Sequence, residues 1–283
     1  MKKYIELLRI KHWLKNLLVF LPLFFSGNIF NKNLLIYNIV AFFIFSLASS
    51  IVYIINDICD INNDINHPIK KNRPLASGEV SLEDAIVILF FFLILVLSAS
   101  VYLYTIIDSI FVVLIPLVYI IINIYYSKGL KNIAIIDVLI LVFGFVLRVM
   151  YGSVVVNIDT SNYLYLMIIF GSYFLSFGKR RGEVIKNSSK SRKVLSIYSK
   201  EFLDKNMYVA YTLSIVAYTL WCMSIDNNYV FLTIPIIMTI MQLYSLNVEK
   251  DSYGDPVDVI LSDKLLLITG IVYVIIMILI LYI

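Results

Sequence analysis

Apolar residues run along the chain in blocks long enough to cross about 30 Å of hydrocarbon. The blocks fall near residues 15–31, 34–56, 85–106, 109–126, 133–156, 162–178, 206–226, 228–246 and 264–283. They predict an all-α, polytopic membrane protein of nine transmembrane helices, with residues 1–283 forming a single membrane-embedded domain. No internal repeat is strong enough to divide the chain further.

Composition agrees with the pattern. The 283 residues are 61% hydrophobic and 15% charged, with a mean hydropathy of +0.90, too apolar for a water-soluble globule. The N-terminal Met1-Lys2-Lys3-Tyr4-Ile5-Glu6 is followed by further charges to Lys15 and by no small-residue cleavage site, so no cleaved signal peptide is expected. Cys59 and Cys222 lack metal-ligand spacing and read as small apolar residues rather than a disulfide.

Charge sets the orientation. All but two of the 23 basic residues, Lys32 and Arg148, lie in the N-terminal segment or in loops 57–84, 127–132, 179–205 and 247–264, which occupy every second side of the membrane. Cytoplasmic loops retain Lys and Arg, so the N-terminus and these loops are expected in the cytoplasm of a plasma-membrane protein. The opposite loops are short and nearly uncharged, which puts the active site on the cytoplasmic face. The net charge of +4 adds little. The basic 179–205 loop suits anionic headgroups of membrane lipids as well as a substrate, and nothing points to nucleic acid.

Four polar constellations interrupt the apolar blocks. Asn56-Asp57-Ile58-Cys59-Asp60-Ile61-Asn62-Asn63-Asp64 follows the second block directly. On a helix the three aspartates at i, i+3 and i+7 share a face and can converge on one or two divalent cations. Their hard oxygens suit Mg²⁺ or Mn²⁺ rather than zinc. Asn56 is placed to orient a carboxylate or a metal-bound water, or to cap backbone. Lys70, Lys71 and Arg73 come next, either to hold a metal-bound diphosphate or as topology signals. A solvated acidic helix end is the bland alternative, but charge crowded at bilayer depth is usually functional.

The second constellation is Tyr125-Tyr126-Ser127-Lys128-Gly129-Leu130-Lys131, then Asp137 and a helix with Gly144, Arg148 and Gly152 on one stripe. Arg148 lies about 16 Å along the axis from Asp137, too far for an ion pair; it either anchors backbone carbonyls or lines a polar cavity. The third is Gly178-Lys179-Arg180-Arg181-Gly182-Glu183, continuing through Lys190, Arg192, Lys193 and Tyr198. Its guanidinium groups suit a phosphate. The fourth, Asp251-Ser252-Tyr253-Gly254-Asp255-Pro256-Val257-Asp258 ahead of Ser262-Asp263-Lys264, reads as a loop and helix cap. His12 and His67 have no partners for metal or nucleophile chemistry.

Asn56-Asp57-x-x-Asp60-x-x-x-Asp64 followed by Asn72-Arg73-Pro74-Leu75 resembles the UbiA superfamily of intramembrane prenyltransferases. That resemblance implies a helical bundle around a central cavity and a second Asp-rich motif after span six. Here Lys179-Arg180-Arg181-Gly182-Glu183 stands in that place. In this the chain resembles one branch, the decaprenyl-phosphate phosphoribosyltransferases, as it does in Lys11-His12-Trp13-Leu14-Lys15-Asn16, in Tyr126-Ser127 with Leu130-Lys131, in Gly144-Phe145-Val146-Leu147-Arg148 and in Asp263-Lys264. The resemblance implies transfer of a 5-phosphoribosyl group from phosphoribosyl pyrophosphate to a polyprenyl phosphate. Asp57, Asp60 and Asp64 would be catalytic and hold Mg²⁺. Lys15, Asn16, Asn56, Lys70, Arg73, Tyr126, Lys131, Asp137, Arg148, Lys179, Arg180, Arg181 and Glu183 would bind substrate. A prenyltransferase with a polyprenyl diphosphate donor and a small or aromatic acceptor is the alternative within the superfamily. A non-catalytic carrier or flippase for polyprenyl phosphate is the alternative outside it, and it would not need the acidic motif. An oligomer is compatible with all three.

Overall fold

A computed structural model describes residues 2–66, 70–186, 193–250 and 254–283. Among them every regular element is helical. The chain divides into two compact units, residues 1–140 with 147–159, and residues 141–146 with 160–283.

In the first unit, α1 (Lys2–Leu8) ends at Arg9, whose left-handed backbone (φ 50°) turns the chain into a 3₁₀ helix, Ile10–Phe20. Pro22, within its first two residues, opens the short α2 (Leu21–Phe25). The first expected span is therefore a 3₁₀ run joined to a short α-helix, not one long α-helix. The Asn31 side chain accepts from Asn33 N and Leu34 N and starts α3 (Lys32–Ile65). Ser81, with Glu83 and Asp84 in the first turn, starts α4 (Leu82–Ile107). α5 (Phe111–Lys128) ends at Gly129, and α6 (Ile136–Val156) follows. α3 packs on α4, α5, α1 and the 3₁₀ helix. Its inward face (Ala41, Ile44, Phe45, Ala48, Ile51) meets Val96, Tyr119 and Tyr151 in the main core. A smaller core of Leu7, Ile54, Leu75, Val80 and Ala85 lies beneath the 70–82 loop.

The second unit holds α7 (Asn162–Ile185), α8 (Lys200–Met223), α9 (Ile234–Glu249), α10 (Pro256–Ser262) and α11 (Lys264–Tyr282). Ser161, Ser199, Asp255 and Asp263 cap α7, α8, α10 and α11. Of the segment 251–258 with Ser262-Asp263-Lys264, read as loop and cap, the caps are present at Asp255 and Asp263, but Pro256–Ser262 is helical rather than loop; Asp251, Ser252 and Tyr253 lie outside the described residues.

Six helices are long and apolar enough to cross a membrane among the described residues: α3, α4, α5, α6, α9 with its preceding turn (Asn228–Glu249), and α11. α7 and α8 have the length, at 24 residues each, but Tyr, Ser and Asn dilute their apolar content. The nine expected spans thus correspond to six plain ones, two polar long helices and the broken first segment.

Candidate functional site

At about 1.5 Å per residue, the 34 residues of α3 reach about 51 Å, well beyond about 30 Å of hydrocarbon. The overhang is the acidic motif, so Asp57, Asp60 and Asp64 ride on rigid helix past the end of the apolar stretch. Asp57 and Asp64 are nonetheless buried. Two cations pair with them, and a third pairs with Asp60. Arg9 Nη2 lies 2.5 Å from Asp57 Oδ1, and the Arg9 guanidinium sits 4.9 Å over the Tyr53 ring. Arg73 Nη1 lies 3.1 Å from Asp57 Oδ1 and 2.6 Å from Asp64 Oδ2. Lys131 Nζ lies 2.5 Å from Asp60 Oδ1. Asn56 Oδ1 accepts from Ser127 Oγ at 3.4 Å.

Local structure fixes each cation. Arg73 follows the turn Lys70–Asn72, with Arg73 N bonded to Lys70 O at 2.9 Å and Ser77 N to Arg73 O at 2.8 Å, while Leu75 and Val80 anchor the loop in the small core. Lys131 sits in a one-turn 3₁₀ helix after Gly129. Four residues on, Ile135 holds φ 71°, a conformation a β-branched side chain adopts only at a cost of about 1–3 kcal/mol. That strained residue is the N-cap of α6, and the turn that carries Lys131 ends two residues before it, at Ile133.

The donor chemistry fits a hard divalent cation at two of the three aspartates. Asp57 and Asp64 already gather oxygens around one positive atom. Asp60 is drawn aside by Lys131, and no group of three His, Cys, Asp or Glu side chains stands ready for a metal among the described residues. Asp57 and Asp64 thus share Arg73, while Asp60 pairs with Lys131.

Arg148 occupies the interior of the same unit. Its Nε donates to Asn16 Oδ1 at 2.8 Å and its Nη2 to Tyr119 Oη at 3.2 Å, and its guanidinium stacks 5.0 Å from the rings of both Phe45 and Tyr119. Asn16 Nδ2 donates in turn to Ser46 Oγ at 3.0 Å. One turn along α6, a Cβ on Gly152 would stand 1.9 Å from Val19 O, so α6 and the 3₁₀ helix touch backbone to backbone. The glycine and arginine of the expected stripe therefore dock the N-terminal segment. Asp137 is buried in the first turn of α6, Gly144 and Tyr126 are buried, and Lys15 and Lys70 are half-buried.

In the second unit the basic run at the end of α7 is paired throughout. Lys179 Nζ lies 2.7 Å from Asp255 Oδ2, Arg180 Nη1 lies 2.6 Å from Glu183 Oε2, and Arg181 Nε bonds Asp204 while its Nη1 donates to Val248 O at 3.0 Å. Asp255 also accepts from Val257 N at 3.1 Å. His67, Pro68, Ile69, Lys190, Arg192 and the Lys193 side chain lie outside what the structure describes.

Sequence reasoning missed Arg9, Tyr119, Asp204 and Asp255 as members of these clusters. Arg9 alone carried a signal, a basic residue at the broken end of an amphipathic turn. The others contact partners 23 to 76 residues away, which no local spacing encodes.

Residues 17–268 match the UbiA prenyltransferase family. The chain is 31% identical to the decaprenyl-phosphate phosphoribosyltransferase of Corynebacterium glutamicum, covering 99% of this chain and 86% of that protein. It is 30% identical to the enzyme of the same name from Mycolicibacterium smegmatis, over 93% and 87%. Its fold is that of a UbiA homolog from Archaeoglobus fulgidus bound to GPP and Mg²⁺, with a TM-score of 0.75, 18% identity and 99% of each chain covered.

Proposed function

The chain belongs to the UbiA prenyltransferase family and is a multi-pass membrane transferase, and from that premise we propose that it moves a 5-phosphoribosyl group from phosphoribosyl pyrophosphate to a polyprenyl phosphate, releasing diphosphate. The observation that carries this reading is the opposite sign of the two helix ends: carboxylates on α3, and Lys179-Arg180-Arg181 on α7. A donor diphosphate held through a cation needs the first; an acceptor that is itself a phosphate needs the second. Near-full-length similarity to enzymes named for this transfer supports it.

Mg²⁺, with Mn²⁺ as a substitute, would be held by Asp57 and Asp64, with Asp60 joining once Lys131 lets go. Bound there it would neutralise the departing diphosphate. Arg9, Arg73 and Lys131, released from the carboxylates, then face the diphosphate oxygens and stabilise the leaving group. An oxygen of the lipid phosphate forms the bond to the anomeric carbon as the carbon–oxygen bond to diphosphate breaks, and diphosphate leaves with the electron pair. The acceptor oxygen is already anionic, so no general base is required. Asn16, Asn56, Lys15, Lys70, Tyr126, Asp137 and Arg148 are read as substrate-side residues, with Asn16 and Arg148 acting by holding the N-terminal segment. We read the chain as crossing the plasma membrane nine times, as one domain over residues 1–283, with its N-terminus and active site cytoplasmic; the family match spans both units.

The test is purified protein with Mg²⁺, radiolabelled phosphoribosyl pyrophosphate and a polyprenyl monophosphate, followed by organic extraction. Label entering the organic phase, and failing to do so with EDTA, is the expected result. Label staying aqueous across several prenyl lengths overturns the proposal and favours prenyl transfer from a polyprenyl diphosphate.

A further inference from the structure

The three basic residues at the end of α7 are not equivalent. The Arg180 side chain is 0% exposed and closes on Glu183 within its own helix. The Arg181 side chain is 5% exposed and ties α7 to Asp204 of α8 and to the buried Val248 carbonyl of α9. Drawing Arg181 toward a ligand would leave the buried Val248 carbonyl without this donor and undo the tie between α7 and α8 at Asp204, whose side chain is 28% exposed. Lys179 differs on both counts. Its side chain is 29% exposed, and its partner Asp255 keeps a second bond, from Val257 N, when the lysine leaves.

We propose that Lys179 is the one side chain of this run that anchors the phosphate monoester of the lipid acceptor, that Asp255 is its exchangeable counter-ion, and that Arg180 and Arg181 are positioning residues. The inference rests on the lipid-phosphate reading given above. Lysine suits the task, as a compact charge with three rotatable donors that meets a tetrahedral phosphate without a fixed fork geometry. The site is also built. A Cβ on Gly254 would stand 2.5 Å from Gly178 O and 2.8 Å from Lys179 Cα, and Gly254 holds φ 67°. Tyr244 Oη donates to Gly254 O at 2.8 Å, and its ring would lie 3.0 Å from a Cβ on Gly178. Two glycines and a tyrosine therefore fix the backbone spacing from which Lys179 and Asp255 reach each other. With the acceptor bound, Lys179 turns from carboxylate to phosphate while Asp255 goes on capping α10.

The test is direct binding of a polyprenyl monophosphate, against the corresponding polyprenol, by the purified full-length protein, together with KM for each substrate. Lys179→Met should weaken monophosphate binding about tenfold or more, the loss of one charge-assisted contact. It should raise KM for the lipid by a similar factor and leave KM for the sugar donor unchanged. Asp255→Asn keeps the cap, since Asn serves there as well as Asp, and removes the competing charge, so it should bind the monophosphate severalfold more tightly. Arg181→Met should lower the melting temperature, since it loses the ties to Asp204 and to the Val248 carbonyl. Wild-type affinity in Lys179→Met, or weaker binding in Asp255→Asn, overturns the assignment. A wild-type protein that binds monophosphate no better than polyprenol instead sinks the acceptor reading on which it rests.

Discussion

Asp57 and Asp64, two helical turns apart, meet at a single atom: Arg73 Nη1 lies 3.1 Å from the Oδ1 of the first and 2.6 Å from the Oδ2 of the second. One guanidinium nitrogen thus stands where a bridging cation between two carboxylates would stand. Removing it leaves two buried carboxylates facing each other, with Arg9 their nearest compensation. In EDTA, Arg73→Met should melt about 5 °C below wild type. Added Mg²⁺ should then raise its melting temperature more than that of wild type, because one fewer cation has to be displaced. Equal Mg²⁺ shifts in the two proteins would show that Arg73 does not occupy the cation's place.

The asymmetry within the motif makes a second prediction. Asp57→Asn should abolish the Mg²⁺-dependent rise in melting temperature and reduce turnover about 10³-fold, whereas Asp60→Asn should keep part of that rise, since Lys131 holds Asp60 apart from the other two. Melting curves with and without Mg²⁺, alongside transfer assays, decide it; identical losses in both readouts would mean that the three carboxylates act as one set.

Gly152 admits no side chain. Both atoms nearest its missing Cβ, Val19 O at 1.9 Å and Val19 C at 2.8 Å, belong to backbone and cannot turn away. Gly152→Ala should therefore cost about 1–3 kcal/mol or more and weaken the Asn16–Arg148 contact one turn away. Gly270→Ala, with no atom within 4 Å of its Cβ position, is the control, and it should be neutral or slightly stabilising. Thermal melts of the two variants give the comparison directly.

Asn38 is fully buried on α3, and neither atom of its amide finds a hydrogen-bond partner among the described residues. A near-isosteric apolar replacement removes that desolvation cost. Asn38→Leu should raise the melting temperature by a few degrees, from about 1–3 kcal/mol. A lower value would mean that the amide holds a water or a partner after all.

Asp263 caps α11, accepting from Leu265 N at 2.8 Å and Leu266 N at 3.0 Å, with Asn247 Nδ2 at 2.5 Å from its other oxygen. The Leu266 amide first, then the Asn247 side chain, hold its carboxyl below the usual carboxylate range. A depressed folded pKa contributes stability that is complete above the unfolded pKa and is lost as pH falls through the folded one. The advantage of wild type over Asp263→Asn should therefore be constant above about pH 5 and shrink below about pH 4. A gap that stays constant down to acid unfolding would exclude the carboxylate charge as its source.

How much was legible follows from what is local. The i, i+3, i+7 spacing put the three aspartates on one helix face, and α3 runs unbroken to Ile65. The pairings were not legible, because Arg9 and Lys131 lie 48 and 71 residues from the aspartates they pair with, and Arg73 lies 16 and 9 residues from its two. The same holds at Lys179-Arg180-Arg181: an excess of positive charge in sequence is balanced in space by Asp255, Glu183 and Asp204. The first span misled for a third reason. Its apolar content was right, but its conformation is set by Arg9, Pro22 and docking to α3 and α6, and hydropathy carries none of these.

The pairing of every motif carboxylate with a basic side chain makes the acidic end of α3 a selective exchanger. A lone divalent cation taking Asp57 and Asp64 would leave Arg9 and Arg73 with uncompensated charge in a confined, poorly hydrated space. A lone anion taking the basic groups would leave the carboxylates in the same state. Only a ligand that brings both signs together, as a metal-bound diphosphate does, lets every ion trade partners with none abandoned. The ion pairs thereby work as a coincidence filter, taking a lone divalent cation weakly and favouring a ligand that carries both signs.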